Sequence, residues 1–251
     1  MHVMGAEQNI DLMRRIASAL DWWHDAGVEQ LVGEVPHDWL AAPRADAPLR
    51  AGAESVDRAP AVPAAPVLAP MPDDFQAFAA WRVGAEAPEA GWPGPRLGIQ
   101  GVPGAAIMII ADMPDREDEA DGVVLSGRTG ILFDRMLAAI GLARADVLIA
   151  PLVTARPPGG RVAPDLADQL ETVMRHLIGL AAPKRLLLLG NAASRALTGL
   201  DVSAARGNLH VVNHKCGTSE AVACFHPRFL VERPAAKAEA WRDLQLLMRG
   251  L

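Results

Sequence analysis

The sequence contains only two cysteines, few aromatic residues and no long apolar run. Cys216 and Cys224 are too few for a disulfide scaffold or a four-cysteine metal site, so we expect reduced thiols and no metal. No apolar run approaches the roughly 20 residues that a membrane-spanning helix needs. The first residues also lack the basic and apolar regions of a signal peptide. These absences predict a soluble, cytoplasmic protein without a membrane partner.

The net charge of −6 is unevenly distributed along the chain. Residues 1–104 hold 7 Lys/Arg and 14 Asp/Glu, whereas residues 105–251 hold 17 and 16. Six of those 16 acids lie within residues 112–121, and outside this segment the C-terminal part has 16 basic and 10 acidic residues. Nearly all the basic residues are arginines, which bind phosphate in a forked geometry. The overall acidity therefore does not exclude a polyanionic partner.

The composition divides the chain into three regions. Residues 1–40 have the apolar spacing of one or two helices, and we predict a short helical segment there. Its tryptophans mark either a contact with a partner protein or packing against the main domain. Residues 41–72 are rich in alanine and proline, which predicts an extended, semi-rigid linker. Residues 73–251 form the predicted main domain.

Short apolar runs alternate with helical patterns from residue 105 onward. The runs occupy residues 105–111, 147–152, 185–190, 209–212 and 221–225, and the helical patterns occupy 130–141, 164–181, 191–199 and 235–249. The acidic segment 112–121 is predicted to be a loop. This alternation predicts an α/β fold in which helices cover both faces of a parallel sheet. Right-handed crossovers place the C-terminal ends of its strands at one edge.

Asp112 and His226 are the candidate catalytic residues at that edge. Asp112 directly follows the first apolar run, although its position alone also suits a solvated loop carboxylate. His226 directly follows the last run and precedes Pro227, although a lone histidine is often a surface or capping residue. A carboxylate and an imidazole across one cleft can break a glycosidic-type bond. The acid stabilises positive charge on the sugar or orients water, and the imidazole stabilises the departing anion.

Asn191 begins a predicted helix after the run that ends at Gly190. It is either the N-cap of that helix or part of a group of exposed amides that hold a phosphate. The spacing of Gly127 and Gly130 does not match a dinucleotide-binding fingerprint, and no lysine follows it as in a phosphate-binding loop.

Several motifs between residues 107 and 247 occur in a specific order. Residues 111–115 and 124–130 match a Gly-Glu-x-Pro-Gly motif and a Pro-Phe-Val-Gly-x-x-Gly loop, residues 155–159 match a turn that follows a strand, and residues 226–230 match a His-Pro motif. This order and spacing resemble the uracil-DNA glycosylase superfamily, most closely its family 4 branch of bacterial enzymes. The resemblance implies a three-layer αβα sandwich around a central, mostly parallel four-stranded sheet.

The resemblance also implies a function in base excision DNA repair. Such a protein flips a damaged, uracil-type base out of DNA and hydrolyses its N-glycosidic bond, with Asp112 and His226 as the catalytic residues. By the same resemblance the base pocket contains Met113, Pro114, Leu125 and Pro151. The residues that contact DNA are Ser126, Arg128, Arg156, Asn191, Arg206 and Arg228.

The chain departs from the family pattern at the residues that read uracil. The motif acid is Asp112 instead of glutamate, and Leu125 replaces the phenylalanine that stacks on uracil. Pro151 replaces the asparagine that pairs with uracil, and it has neither a side-chain amide nor a backbone donor. The four cysteines of the family's iron–sulfur cluster are absent, so we predict no cofactor. The alternative to a glycosylase is a non-catalytic descendant that binds DNA or a repair partner.

Overall fold

The computed structural model describes residues 68–101, 103–160 and 162–251. The predicted helical segment 1–40 and most of the predicted linker lie outside the described residues. Leu68, Ala69 and Met71, at the end of that linker, pack against the core of the main domain. The packed region therefore begins before the predicted boundary at residue 73, because these apolar side chains bury surface that a linker would expose.

A five-stranded sheet forms the centre of the fold. Its strands are β1 (Ile107–Ala111), β2 (Val147–Pro151), β3 (Arg185–Leu189), β4 (Leu209–His214) and β5 (Gly217–Cys224), in the order β2-β1-β3-β5-β4. All neighbouring pairs are parallel except β4 and β5. The predicted parallel sheet is confirmed, but the predicted count of four strands is one too low. Only two residues separate β4 from β5, and so short a connection joins antiparallel strands.

Helices cover both faces of the sheet. The described helices are α1 (Phe75–Arg82), α2 (Arg116–Asp121), α3 (Gly127–Ala139), α4 (Pro164–Ala181), α5 (Asn191–Thr198), α6 (Val202–Ala205), α7 (Pro227–Glu232) and α8 (Lys237–Met248). Met108 and Ile110 of β1 pack with α1, α4 and α5, whereas Ile107 and Ile109 pack with α3, α7 and α8. This alternation confirms the predicted three-layer αβα sandwich. None of the described helices is long and apolar enough to span a membrane.

The acidic segment 112–121 is not the loop that was predicted, because α2 lies within it. Asp118 is 2% exposed and accepts two backbone hydrogen bonds, from Asp115 N at 3.0 Å and from Ser126 N at 2.6 Å. The first bond is half of a capping box at the start of α2. Acidic residues in a first helical turn also interact favourably with the helix dipole. The carboxylates therefore stabilise structure instead of only repelling one another.

A buried ion pair fixes the turn that follows β2. Arg82 and Glu89 form this pair, and their side chains are 1% and 0% exposed. Glu89 Oε1 also accepts hydrogen bonds from Thr154 N at 2.8 Å and Thr154 Oγ1 at 3.0 Å, and Arg82 donates to the Leu152 carbonyl at 2.6 Å. Because loss of either charge would leave the other buried and unpaired, the pair holds this turn in one position.

The register of three neighbouring strands places the candidate site. The last residues of β1, β3 and β5 are Ala111, Leu189 and Cys224, and Leu189 is paired with both of the others across the sheet. The residues that follow therefore leave the sheet side by side, first Asp112, Gly190 and Phe225, and then Met113, Asn191 and His226. In this strand order β2 lies on one side of β1 and β3 lies on the other, so the direction in which strands are added reverses beside β1. The crevice beside such a point is where open α/β sheets bind ligands.

Candidate active site

A cavity of about 410 Å³ opens at the C-terminal ends of β1, β3 and β5. Asp112 and His226 both line it, so the structure brings the two predicted catalytic residues into one cavity. Met113 and Asn191, which were predicted for the base pocket and for DNA contact, line the same cavity. The geometry of the strand ends explains this grouping, because all four residues lie one or two positions after the paired ends of β1, β3 and β5.

The Asp112 carboxylate lies at the N-terminus of α5. Its Oδ1 accepts a hydrogen bond from Ala193 N at 2.6 Å, and the backbone N–H groups of Asn191 and Ala192 also stabilise its negative charge. Free N–H groups at a helix N-terminus are suited to an anion. Burial has the larger and opposite effect, and it raises the pKa of Asp112 to about 6. The side chain is therefore mostly ionised at neutral pH and mostly protonated below pH 6.

Gly190 allows the close approach between Asp112 and α5. It has a φ of +100°, and a Cβ atom at this position would lie 2.2 Å from Asp112 Oδ2. Any side chain would therefore displace the carboxylate as well as strain the backbone. This glycine therefore leaves the space that the carboxylate of the candidate catalytic acid occupies.

His226 is the N-cap residue of α7, and its ring is 8% exposed. Its Nδ1 accepts a hydrogen bond from Arg228 N at 3.2 Å. Burial, with a smaller contribution from the Arg228 charge, lowers the pKa of His226 to about 3, so the ring is neutral. Because Nδ1 accepts, the single ring proton is on Nε2. Nε2 is buried and has no hydrogen-bond partner among the described residues. His226 thus lines the cavity, and its Nε2–H is a buried donor without an acceptor among the described residues.

Three of the four predicted phosphate-binding arginines meet at a second cavity of about 350 Å³, lined by Arg128, Arg156 and Arg228. Asp115 accepts a hydrogen bond from Arg228 Nε at 2.7 Å and lies 3.6 Å from an Arg156 nitrogen. Arg128 is exposed, and within the described part of the chain its guanidinium has no ion-pair partner. Since Arg228 lines both cavities, the arginine cluster adjoins the cavity that contains His226.

Arg206 does not join this cluster, and its predicted phosphate contact stays a prediction. Its guanidinium pairs with Glu239 and lies 2.9 Å from Asp243, and the side chain is only 14% exposed. It also lies 4.4 Å from the ring centroid of Phe225. With two carboxylates and an aromatic ring as neighbours, Arg206 connects the end of β5 to α8 and has little charge available for DNA.

Leu125 and Pro151 do not line this cavity, and their predicted place in a base pocket stays a prediction. Leu125 is 1% exposed and packs in the core beside Phe133, with a left-handed backbone (φ +57°). Pro151 is buried at the end of β2, paired with Ala111. Pro114 is also buried and does not line the cavity, which leaves Met113 as the one predicted pocket residue found there.

Asn191 has a local role that the sequence did not predict, whereas the Ser126 side chain forms no capping contact. Ser126 precedes α3 without a side-chain capping bond, and its buried Oγ has no partner among the described residues. Asn191 is the first residue of α5 and not its N-cap, which is Gly190. The Asn191 side chain instead accepts a hydrogen bond from Val202 N at 3.0 Å, at the start of α6.

Phe225 and Phe229 line the cavity, and the prediction of the base pocket omitted them. Their ring centroids lie 4.8 Å apart, and the guanidinium of Arg233 lies 5.2 Å from the ring of Phe229. Phe225 precedes the N-cap of α7 and Phe229 lies within α7, so helical spacing does not account for this pair and the fold brings the two rings together. The aromatic wall of the cavity therefore comes from the His226 segment and not from the loop at Leu125.

The residues present do not fit a cysteine-ligated cluster. Cys216 is exposed in the turn between β4 and β5, whereas Cys224 is buried at the end of β5. Burial and the nearby Asp243 raise the pKa of the Cys224 thiol, which keeps it protonated. In the part of the chain that the structure describes, no three His, Cys, Asp or Glu side chains come together as a metal-binding group.

The chain belongs to the Uracil DNA glycosylase superfamily, whose sequence model matches residues 99–245. It is similar to a type-4 uracil-DNA glycosylase of Pyrobaculum aerophilum, with 29% identity over 154 residues that cover 57% of this chain and 77% of the relative. A type-4 enzyme of Archaeoglobus fulgidus is 26% identical over 148 residues, or 56% of this chain and 74% of the relative. These matches confirm the family resemblance and its divergence.

Proposed function

We propose that this protein is a DNA repair glycosylase that flips a damaged, uracil-type base out of DNA and hydrolyses its N-glycosidic bond. Membership of the superfamily and similarity to type-4 uracil-DNA glycosylases support the reaction class. The observation that carries the proposal is His226, a buried neutral imidazole whose Nε2–H has no acceptor among the described residues. A donor without an acceptor is what a departing base anion requires.

The two catalytic side chains have separate roles in this reaction. The N-glycosidic bond breaks and its electron pair leaves with the base, whose carbonyl oxygen accepts a hydrogen bond from His226 Nε2. The Asp112 carboxylate stabilises the positive charge that develops at C1′ and orients a water molecule. The water oxygen bonds to C1′, and its proton passes to the carboxylate. One donor aimed at a developing anion typically contributes about 10²- to 10³-fold in rate.

The adjoining arginine cluster supplies the contacts to DNA in this proposal. Arg128, Arg156 and Arg228 bind backbone phosphates and hold the flipped nucleotide at the mouth of the cavity. Binding of this kind depends steeply on salt and weakly on sequence. The aromatic pair Phe225 and Phe229 forms an apolar wall against which the base packs.

Single-turnover excision from a uracil-containing single strand tests the proposal. His226→Asn is the sharpest variant, because asparagine is also a good N-cap for α7 but lacks the Nε2 donor. We expect its rate to fall about 10²- to 10³-fold while the thermal midpoint stays near that of the wild type. Asp112→Asn should also be slower, with Asp121→Asn, an exposed acid of the same segment, as its matched control. Cleavage at the wild-type rate by His226→Asn would contradict the mechanism.

One observation favours the alternative of a non-catalytic DNA-binding descendant. The Asp112 carboxylate is already stabilised by backbone donors of α5, so part of its hydrogen-bonding capacity serves the fold. If the wild type cleaves neither uracil nor another deaminated base but binds single-stranded DNA, this reading replaces the enzymatic one.

A further inference from the structure

Asn191 presents a side-chain amide whose orientation is fixed by the fold. Its side-chain oxygen accepts a hydrogen bond from Val202 N at 3.0 Å. A backbone N–H can only donate, so the amide atom that faces Val202 is the oxygen. The amide nitrogen therefore occupies the other position, and the contact with α6 prevents the amide from exchanging its two ends.

The amide nitrogen of Asn191 is available at the cavity. Asn191 lines the cavity together with Asp112 and His226, and its side chain is exposed. Within the described part of the chain its Nδ2 has no hydrogen-bond partner, whereas Asn208 uses its Nδ2 to contact the Arg206 carbonyl at 3.4 Å. The strand register also sets Asn191 beside the two catalytic residues, because it is the second residue after β3 just as His226 is the second after β5.

The cavity lacks the side chain with which the family pattern recognises the base. Pro151 is at that position of the pattern and is buried away from the cavity, at the end of β2. Leu125, at the position of the stacking residue, lies in the core. A base in this cavity would therefore meet the Nδ2 donor of the Asn191 amide and not a group from the end of β2.

We propose that the Asn191 amide reads the base, by donating its Nδ2–H to an exocyclic carbonyl oxygen; this inference rests on the proposed glycosylase function. The substrate class is then a deaminated base, which presents a carbonyl oxygen where the undamaged base has an amino group. An amino group facing Nδ2 would set donor against donor and leave both unpaired. A site built to form one polar contact rejects the analogue that lacks it.

Asn191→Asp separates base reading from structure. Aspartate keeps an oxygen acceptor for Val202 N and replaces the amide donor with a second oxygen. Asn208→Asp is the matched control, since it makes the same chemical change at an exposed position outside the cavity. The measurements are single-turnover excision of uracil and of cytosine at pH 8, dissociation constants for the same strands, and the thermal midpoint.

We expect Asn191→Asp to lower uracil excision about 10- to 100-fold and to reduce the ratio of uracil to cytosine excision, with a thermal midpoint near that of the wild type. Asn208→Asp should match the wild type in all three. An unchanged ratio in Asn191→Asp, whether or not the absolute rates fall, would overturn the proposal, because a structural role alone changes both bases together.

The binding measurement separates this inference from the proposed function. A wild type that excises no base refutes the glycosylase. If that wild type still binds the uracil strand more tightly than the cytosine strand, and Asn191→Asp loses the preference, base reading by Asn191 stands. If the wild type excises uracil and Asn191→Asp keeps the same preference for uracil over cytosine, the proposed glycosylase function is supported. The proposed role of Asn191 in base recognition is then refuted.

Discussion

Ionisation of Asp112 should make the stability of this protein depend on pH in a direction opposite to that of an ordinary paired carboxylate. Burial raises its pKa from 3.8 to about 6, despite the α5 amides and the Arg228 charge, which act to lower it. Because the folded-state pKa lies above the unfolded value, the folded state binds the proton more tightly. The resulting stabilisation is present below about pH 4 and is lost as the pH rises through 6.

The size of this effect follows from the pKa shift. Each pKa unit corresponds to about 1.4 kcal/mol, so a shift from 3.8 to about 6 corresponds to about 3 kcal/mol of unfolding free energy between the two limits. Roughly 2 to 3 kcal/mol of it falls between pH 4 and pH 8. Asp112→Asn removes the titration but keeps an oxygen for the Ala193 amide, so the variant should lack this component.

Urea unfolding of the wild type and Asp112→Asn across that pH range measures the effect. The difference in unfolding free energy, wild type minus variant, should fall as the pH rises, and taking the difference cancels the other titrating groups. A difference that is constant with pH would mean that the α5 amides and the Arg228 charge fully offset the effect of burial on the pKa. A difference that rises with pH would mean that the α5 amides outweigh burial. If the ionised acid is required for catalysis, the excision rate should rise towards a plateau with a midpoint near pH 6.

Two further predictions concern the approach of the acid to α5 and the binding of DNA. Gly190→Ala should slow excision several-fold and lower the thermal midpoint, because its Cβ would lie 2.2 Å from the Asp112 carboxylate. Gly199→Ala is the matched control, since Gly199 has a φ of +72° but no atom within 4 Å of the added Cβ. Equal effects of the two substitutions would assign the loss to backbone strain alone. Arg128→Ala should weaken binding to single-stranded DNA for all sequences and reduce the slope of log affinity against log salt by about 1, and an unchanged slope in a salt titration would place the phosphate contacts elsewhere.

The layers of the fold could be predicted from the sequence because each depends on a short-range pattern. Short continuous apolar runs such as 107–111 and 186–189 indicate strands buried on both faces. The helical repeats between them supply the two outer layers. The parallel order of those strands then places Asp112 and His226 at one edge, so their shared cavity also follows from pattern and handedness. The antiparallel pairing of β4 at the edge of the sheet depends on the two-residue turn before β5. The pattern of apolar residues does not predict that turn.

Where the structure differs from the places predicted for residues, contacts between distant parts of the chain determine the positions. Helix α2 forms where a charged loop was predicted because Asp118 binds backbone donors at Asp115 and Ser126. Leu125 was placed by its position in a motif, but its left-handed backbone directs the side chain into the core beside Phe133. Arg206 is of the residue type that binds phosphate, but its guanidinium is already ion-paired with carboxylates of α8. A motif gives the position of a residue along the chain but not what its side chain contacts.

The arrangement around α5 explains why aspartate suits the place where the family pattern has glutamate. Asp112 is short enough for its carboxylate to accept the Ala193 N–H at 2.6 Å, and Gly190 leaves the space that this approach requires. The N-terminus of α5 therefore fixes the position of the Asp112 carboxylate in the cavity. Burial raises its pKa only to about 6, so it remains charged at neutral pH. The same first turn of α5 presents the Asn191 amide to the cavity. In our proposals, one short helix thus positions both the acid that acts on the sugar and the amide that selects the base.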